Sequence, residues 1–450
     1  MNLMTREQSQ DRVGMAAAPQ RQHHRRWRSD WPLLMFLPKP LMYILLVALS
    51  CFSIYKIFGA LVLSEETFLM DVQVFQDAGF AFVRGDDLYE DFPTRSGFRF
   101  IYPPIAALLF APLTWFGQAE LQLTWNAATI AAMWFICFAV SRSLKLPHPV
   151  WVGLACLGPA LMLDPITENL RFGQINVFLV ALVTADVLGV IPRRFRGVGI
   201  GLAAAIKVTP AAYAILFLAG REWKPLLRSA ATFLVSVVVG FLIRPHDAWF
   251  FWTEEFSKTD RGGAPSYAPN QAFSGILARA EVPENIASVA TYAFFIFAAL
   301  ATWWAAHRML AQHRPVIALF TASTAIAVAS PITVTHHWAS VLLALPLILV
   351  LRSWSGRIGW LLFFGAHYFA PWYLFDEAGG EAADGLVLQA VGNAQAWTGL
   401  LAFAGLLWAA WRMGPARSAR PGVPTEERSR IEPPRGPVPA VAATAPQSAN

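Results

Sequence analysis

An aspartate, a lysine and a pair of histidines stand out in this sequence, because each sits beside or inside apolar runs where an ionisable side chain is expensive to keep. Asp71 opens DVQVFQDAGFAFVRGDDLY at 71–89, whose apolar residues recur at near-helical spacing over 71–84 and predict a helix lying at a membrane interface. A carboxylate at the start of such a helix serves either as a general base or as the N-cap of its own helix. Arg95, Arg99 and Tyr102 fall where an outer loop re-enters the bilayer; arginines there clamp a phosphate or anchor among lipid headgroups. The stretch 164–176 crowds Asp164, Thr167, Glu168, Asn169, Arg171, Gln174 and Asn176 between two apolar segments, more than a plain turn needs. Asn169, Arg171, Gln174 and Asn176 suit sugar hydroxyls or a phosphate, with capping of the next helix as the alternative. Lys207, embedded in GLAAAIKVTP, asks for an anion, supplied by a ligand or by Asp164 or Glu168 in a structural ion pair. Asn270, Gln271 and Arg279 lie in PNQAFSGILAR, and His336 with His337 in SPITVTHHW. Adjacent histidines on a helix point about 100° apart, which disfavours a shared metal.

The elements that must hold these residues are membrane helices. Of the 450 residues 56% are hydrophobic and 14% charged, with 18 Trp and 33 Phe, and apolar runs recur from about 41 to 411. Secreted, fibrous and disulfide-scaffold classes are excluded, and Cys51, Cys137 and Cys156 read as packing residues inside apolar runs. The net charge of +6 falls largely on basic residues that flank apolar segments, a pattern of membrane orientation, so no nucleic-acid partner is expected. No Walker loop, Gly-x-Gly-x-x-Gly fingerprint, Cys-x-x-Cys pair or His-Glu-x-x-His run is present.

Basic residues in 1–37 place the N-terminus in the cytoplasm before a first span at about 41–63, and 413–450 reads as a disordered cytoplasmic tail. One transmembrane domain fills 38–412. Further apolar segments fall near 101–117, 122–141, 150–165, 174–191, 198–218, 226–244, 285–306, 316–330, 338–351, 358–375 and 390–411. Segment 198–218 has basic residues at both ends, so it is expected to break or re-enter near Lys207-Val208-Thr209-Pro210. The short, proline-interrupted 101–117 poses the same question, and the expected total is ten to twelve transmembrane helices with loops 64–100 and 245–284 outside.

Taken in order, these clusters resemble the bacterial polyprenol-phosphate-mannose-dependent α-(1,2)-mannosyltransferases, glycosyltransferase family 87 of the GT-C membrane superfamily. The likeness rests on 71–89, IYPPIAALLFAPL at 101–113, NLRFGQINVFLVALVTAD at 169–186, GLAAAIKVTP at 201–210, NQAFSGILAR at 270–279 and SPITVTHHW at 330–338. Phe75 and Phe172 depart from the family's commoner residues. The resemblance implies an all-α polytopic GT-C fold with interfacial helices in the first outer loop, and an active site on the outer face of the cytoplasmic membrane. It implies a polyprenyl-phosphate sugar donor, an envelope glycolipid or glycan acceptor, and contact with membrane lipid. Asp71 matches the acidic catalytic residue expected in the first outer loop; it is assigned as general base, with His336 or His337 assisting. Lys207, Arg279, Arg99 and Tyr102 are assigned to the donor phosphate, and Asn169, Arg171, Gln174, Asn176, Asn270 and Gln271 to substrate. A phosphate leaving group needs no general acid, and with no second carboxylate fixed beside Asp71 neither a cofactor nor an obligatory metal is expected; Asp86, Asp87 and Glu90 are the acidic residues that would contradict this. A flippase for a lipid-linked sugar and a non-catalytic envelope assembly protein are the alternatives.

Overall fold

The computed structural model describes residues 38–89, 92–258, 263–377 and 385–414. The proposed N-terminal segment 1–37, nearly all of the 413–450 tail and part of the acidic 376–384 loop lie outside them. The described residues form helices and no strand, apart from an isolated bridge between Asn270 and Val334. The chain runs through α1 (Lys39–Glu66), α2 (Met70–Arg84), α3 (Pro104–Phe110), α4 (Gln118–Ser143), α5 (Pro149–Ala160), α6 (Asp164–Phe172), α7 (Asn176–Val187) and α8 (Val198–Ile206). It continues through α9 (Ile215–Ala219), α10 (Trp223–Ile243), α11 (Pro245–Thr253), α12 (Phe273–Arg279), α13 (Glu284–Ala311) and α14 (Pro315–Ala329). The last helices are α15 (Trp354–Phe369), α16 (Tyr373–Glu377), α17 (Leu386–Gly392) and α18 (Ala394–Arg412).

Among the described residues, four helices are long and apolar enough to cross a membrane: Lys39–Ser64 of α1, α4, α10 and α13. A fifth span results if α5 and α6, bent by 85° at their junction, count as one. Shorter apolar helices occupy most of the other expected segments, so the ten to twelve spans expected are met by four or five that qualify by length and composition. The outer surfaces of α1, α10 and α13 are apolar and bare, with Phe58, Leu242 and Val289 all exposed, as helices facing lipid should be.

Two breaks matter for the site. Segment 198–218 interrupts where expected: α8 stops at Ile206, Lys207 is extended, and the chain resumes as a 3-10 turn at Thr209–Ala214. Pro210 lacks the N–H that a continuing helix would need there. Segment 338–351, expected as a membrane helix, is instead 3-10 helix at Thr335–Leu343 and Pro346–Val350. The tighter winding rises about 2.0 Å per residue against about 1.5 Å in an α-helix, and His336 and His337 stand near its start.

Helix α2 is enclosed rather than lying on a surface, since Val72 to Gly79 are all buried. Phe75 stacks on Phe110 at 4.6 Å and meets Tyr102 and Trp125 at 5.3 and 5.6 Å between ring centres. Burying such aromatic rings contributes roughly 25 cal/mol per Å² of apolar surface. Gly79 lets this happen: a Cβ there would lie 2.8 Å from the Phe110 carbonyl oxygen. Gly173 does the same at the other end of the helix. It caps α6 in the left-handed conformation, φ 69°, and a Cβ there would come within 3.1 Å of Leu69 and Val72. That close approach brings the residue after Gly173 to the start of α2.

Candidate active site

The residue so delivered is Gln174, whose side-chain N–H donates to Asp71 Oδ2 at 2.7 Å. Asp71 makes no capping bond to its own helix, so its carboxylate is turned to a partner about a hundred residues away rather than to the backbone beside it. A continuous chain of hydrogen bonds follows. Asn176 Nδ2 donates to Gln174 Oε1 at 3.3 Å, Lys207 Nζ donates to Asn176 Oδ1 at 3.1 Å, and Nζ lies 3.1 Å from His337 Nε2. Asn169 and Asn176 both donate to the His336 carbonyl, at 2.8 and 3.3 Å, and pin the backbone that carries the two imidazoles. Tyr102 closes the floor, its buried ring 5.9 Å from the Lys207 ammonium.

The two histidine rings stand 4.7 Å apart at 85°, so they present different edges and do not converge on one ion. His337 is held by the Val334 N–H on Nδ1. His336 packs against Phe172, and its buried Nδ1 has no hydrogen-bond partner among the described residues. A buried ring nitrogen left unpaired costs about 1–3 kcal/mol unless a ligand or water meets it.

Burial pushes the Asp71 carboxyl up to about 6, against the opposing pull of the Gln174 hydrogen bond and the Lys207 charge. The group is thus ionised at neutral pH yet basic enough to accept a proton. Burial, aided by the Asp71 charge, drives the Tyr102 phenol well above its usual range, leaving it a hydrogen-bond donor and never an anion.

Five of the residues assigned from sequence lie outside this cluster. Arg99 donates to Glu255 at 2.8 Å, on a buried carboxylate shared with Lys258. Arg171 is exposed, pairs with Glu168 at 3.4 Å and lies 5.9 Å from the centre of the Phe172 ring. Arg279 is buried and spends its guanidinium on the carbonyls of Tyr267 and Asn270 and on Asn393, which makes it a brace instead of an open phosphate clamp. Asn270 accepts from the Thr333 N–H, and the Gln271 backbone N–H donates to Thr333 O, so both hold the segment leading to the histidines. Sequence reasoning offered Asp164 only as an ion-pair partner for Lys207. It instead accepts from Thr335, Trp372 and Gln395, and so fixes the residue just before His336. Its polarity at a membrane edge was the available signal; partners more than 170 residues away gave none.

One group among the described residues has ligand atoms close enough for a cation: Asp87, His246 and Asp247, within 4.8 Å of one another. Asp247 is engaged there by Arg244 and by the Leu88 N–H, so a cation would have to compete with a guanidinium. Glu90 lies outside the described residues.

The sequence model of glycosyltransferase family 87 matches residues 100–331, a little over half of the chain. The chain is 34% identical over 344 residues to a polyprenol-phosphate-mannose-dependent alpha-(1-2)-phosphatidylinositol mannoside mannosyltransferase of Mycolicibacterium smegmatis, covering 68% of this chain and 76% of that one. This chain belongs to glycosyltransferase family 87. The like-named protein of Mycobacterium tuberculosis is 31% identical over 332 residues, covering 68% and 73%. A polyprenol-phosphate-mannose-dependent alpha-(1-2)-phosphatidylinositol pentamannoside mannosyltransferase of Mycolicibacterium smegmatis is 30% identical over 194 residues, covering 43% and 47%. Family 87 membership makes the protein a membrane glycosyltransferase, and the alternatives of a flippase and a non-catalytic assembly protein fall away. The matched region includes Tyr102, Asn169, Gln174, Asn176 and Lys207; Asp71 and the histidines flank it on either side.

Proposed function

We propose that this family 87 enzyme transfers mannose from a polyprenyl-phosphate donor to a phosphatidylinositol mannoside or related envelope glycolipid, forming an α-(1,2) linkage with inversion. The observation that carries this reading is the single hydrogen-bonded chain joining one carboxylate to one ammonium, Asp71–Gln174–Asn176–Lys207. A one-step displacement on a phosphate leaving group needs that pair and no second carboxylate.

The acceptor O–H donates its proton to Asp71 as its oxygen attacks the anomeric carbon. The bond from that carbon to the phosphate oxygen breaks, and the polyprenyl phosphate leaves with one more negative charge than it carried in the diester. Lys207 meets that growing charge, and its hold by Asn176 and His337 keeps it in place before the reaction starts. His336 Nδ1 accepts from a sugar or acceptor hydroxyl. No obligatory metal enters this scheme, because the lysine supplies the countercharge. The reaction runs on the outer face of the cytoplasmic membrane with both termini inside, a reading supported by the basic loops around Arg194, Arg308 and Arg352.

Purified protein in lipid, supplied with radiolabelled polyprenyl-phosphate mannose and phosphatidylinositol mannosides, should give a labelled product cleaved by an α-(1,2)-specific mannosidase. Label retained only in the donor would refute the donor assignment, and a product resistant to that mannosidase would refute the linkage.

A further inference from the structure

We propose that the protein carries a second ligand site, a pocket for the phosphate head group of a membrane lipid, at the end of the bundle opposite the Asp71 cluster. The pocket has a volume of about 470 Å³ and is framed by the loops before α8, between α9 and α10, and between α13 and α14. Such a volume falls within the roughly 300–1,000 Å³ of small-molecule sites, so it admits a phosphate together with the group that bears it.

Helices α7 and α8 join the two sites. Asn176 begins α7 in the cluster and Val187 ends it in the pocket wall, about 16 Å away at 1.5 Å per residue. Arg196 precedes α8 at the pocket, and Lys207 follows it in the cluster. The two sites are therefore distinct, and the pocket lies among the basic loops that the positive-inside pattern assigns to the cytoplasm.

The lining fits an anion. Arg196 and Glu222 satisfy each other in an ion pair, which leaves Arg221 as uncompensated charge, with His307 and His313 beside it. Arg221 and His313 are exposed at the mouth of the cavity and make no side-chain hydrogen bond or ion pair among the described residues, so water is what a ligand would displace from them. His307 Nδ1–H donates to the Ala219 carbonyl, which fixes the ring, and Nε2 donates to an anion when the imidazole is protonated. Two long helices, α10 and α14, begin at the pocket without side-chain caps, and their positive ends add to the same field. Arg221 and His313 also hold left-handed backbone, φ 55° and 56°, so asparagine, which tolerates that conformation, is the substitution that removes the side chain with least disturbance.

The test uses full-length protein in detergent, wild type beside Arg221→Asn/His313→Asn and Lys207→Met, followed by tryptophan fluorescence during heating. Each is titrated with inorganic phosphate and with dioctanoyl phosphatidic acid, against chloride at equal ionic strength. The wild type and Lys207→Met should show a saturable rise in midpoint with phosphatidic acid. The double variant should need at least about tenfold more, as loss of a charge-assisted contact implies. Arg221→Asn alone serves if the double variant does not fold. Response to inorganic phosphate alone keeps an anion pocket but overturns the lipid assignment. No saturable response in the wild type, an unchanged response in the pocket variant, or loss confined to Lys207→Met overturns the proposal.

Discussion

At the scale of single residues, the proposed chemistry rests on how the protein sets the basicity of one carboxylate. Burial raises Asp71 to about 6, and the Gln174 hydrogen bond and Lys207 hold it from going higher. A base acts only when deprotonated, so transfer should fall as pH drops through about 6, approaching tenfold per unit below it. Gln174→Leu removes a contact that favours the ionised form. Its acid limb should therefore move to higher pH, with maximal turnover reduced, and the pH profile of kcat/KM in lipid reads both effects. A limb that stays in place would show that Gln174 does not touch the group that titrates. That Asp71, Gln174, Asn176, Lys207 and the histidines gather in one hydrogen-bonded cluster was hinted at in the sequence, where each is a polar side chain that an apolar setting penalises; their catalytic reading came from the family resemblance, since spacing alone allowed Asp71 to be an N-cap. The same reasoning picked out Arg279 and Arg99, because residue type says that a cation is present but not which acceptor it reaches. Three carbonyl and amide acceptors already take the first, and buried Glu255 takes the second.

Between elements, the site depends on braces that no local pattern reveals. Arg279 ties the loop before α12 to Asn393, and Gln271 spans from Ala268 to the Gly392 carbonyl. Arg279→Ala should cost about 2–4 kcal/mol, because it strands several buried acceptors, and should lower the melting temperature while leaving donor KM in the folded fraction near wild type. A large rise in KM without loss of stability would restore the donor-clamp role. The helix break at Lys207 was readable from a lysine and a proline at mid-segment. The 3-10 winding of 335–350 was not, since an apolar run gives the same hydropathy whether it winds as α or as 3-10 helix. Nor was the 85° bend between α5 and α6, where the turn before Asp164 sends that carboxylate to Trp372 and Gln395.

Across the whole molecule, the proposed orientation makes its own prediction. Helices α1, α10 and α13 present bare apolar flanks to lipid, while the site is enclosed by shorter helices that could not cross alone. A cysteine at Arg194 should react with a membrane-impermeant maleimide only from the cytoplasmic side, and one at Phe98, which is exposed, only from the outer side. Labelling in the reverse sense would invert the membrane assignment and place the donor in the other leaflet.

The most direct test of the central claim is single-turnover mannosyl transfer by Asp71→Asn, measured with donor binding and thermal stability on the same preparation at pH 7.5. Burial already disfavours the ionised carboxylate, so the variant should melt no lower than wild type and should still bind donor. Transfer should fall by about 10²–10⁴-fold, the range for loss of a general base. Wild-type transfer rates from a folded, donor-binding Asp71→Asn protein would contradict the account.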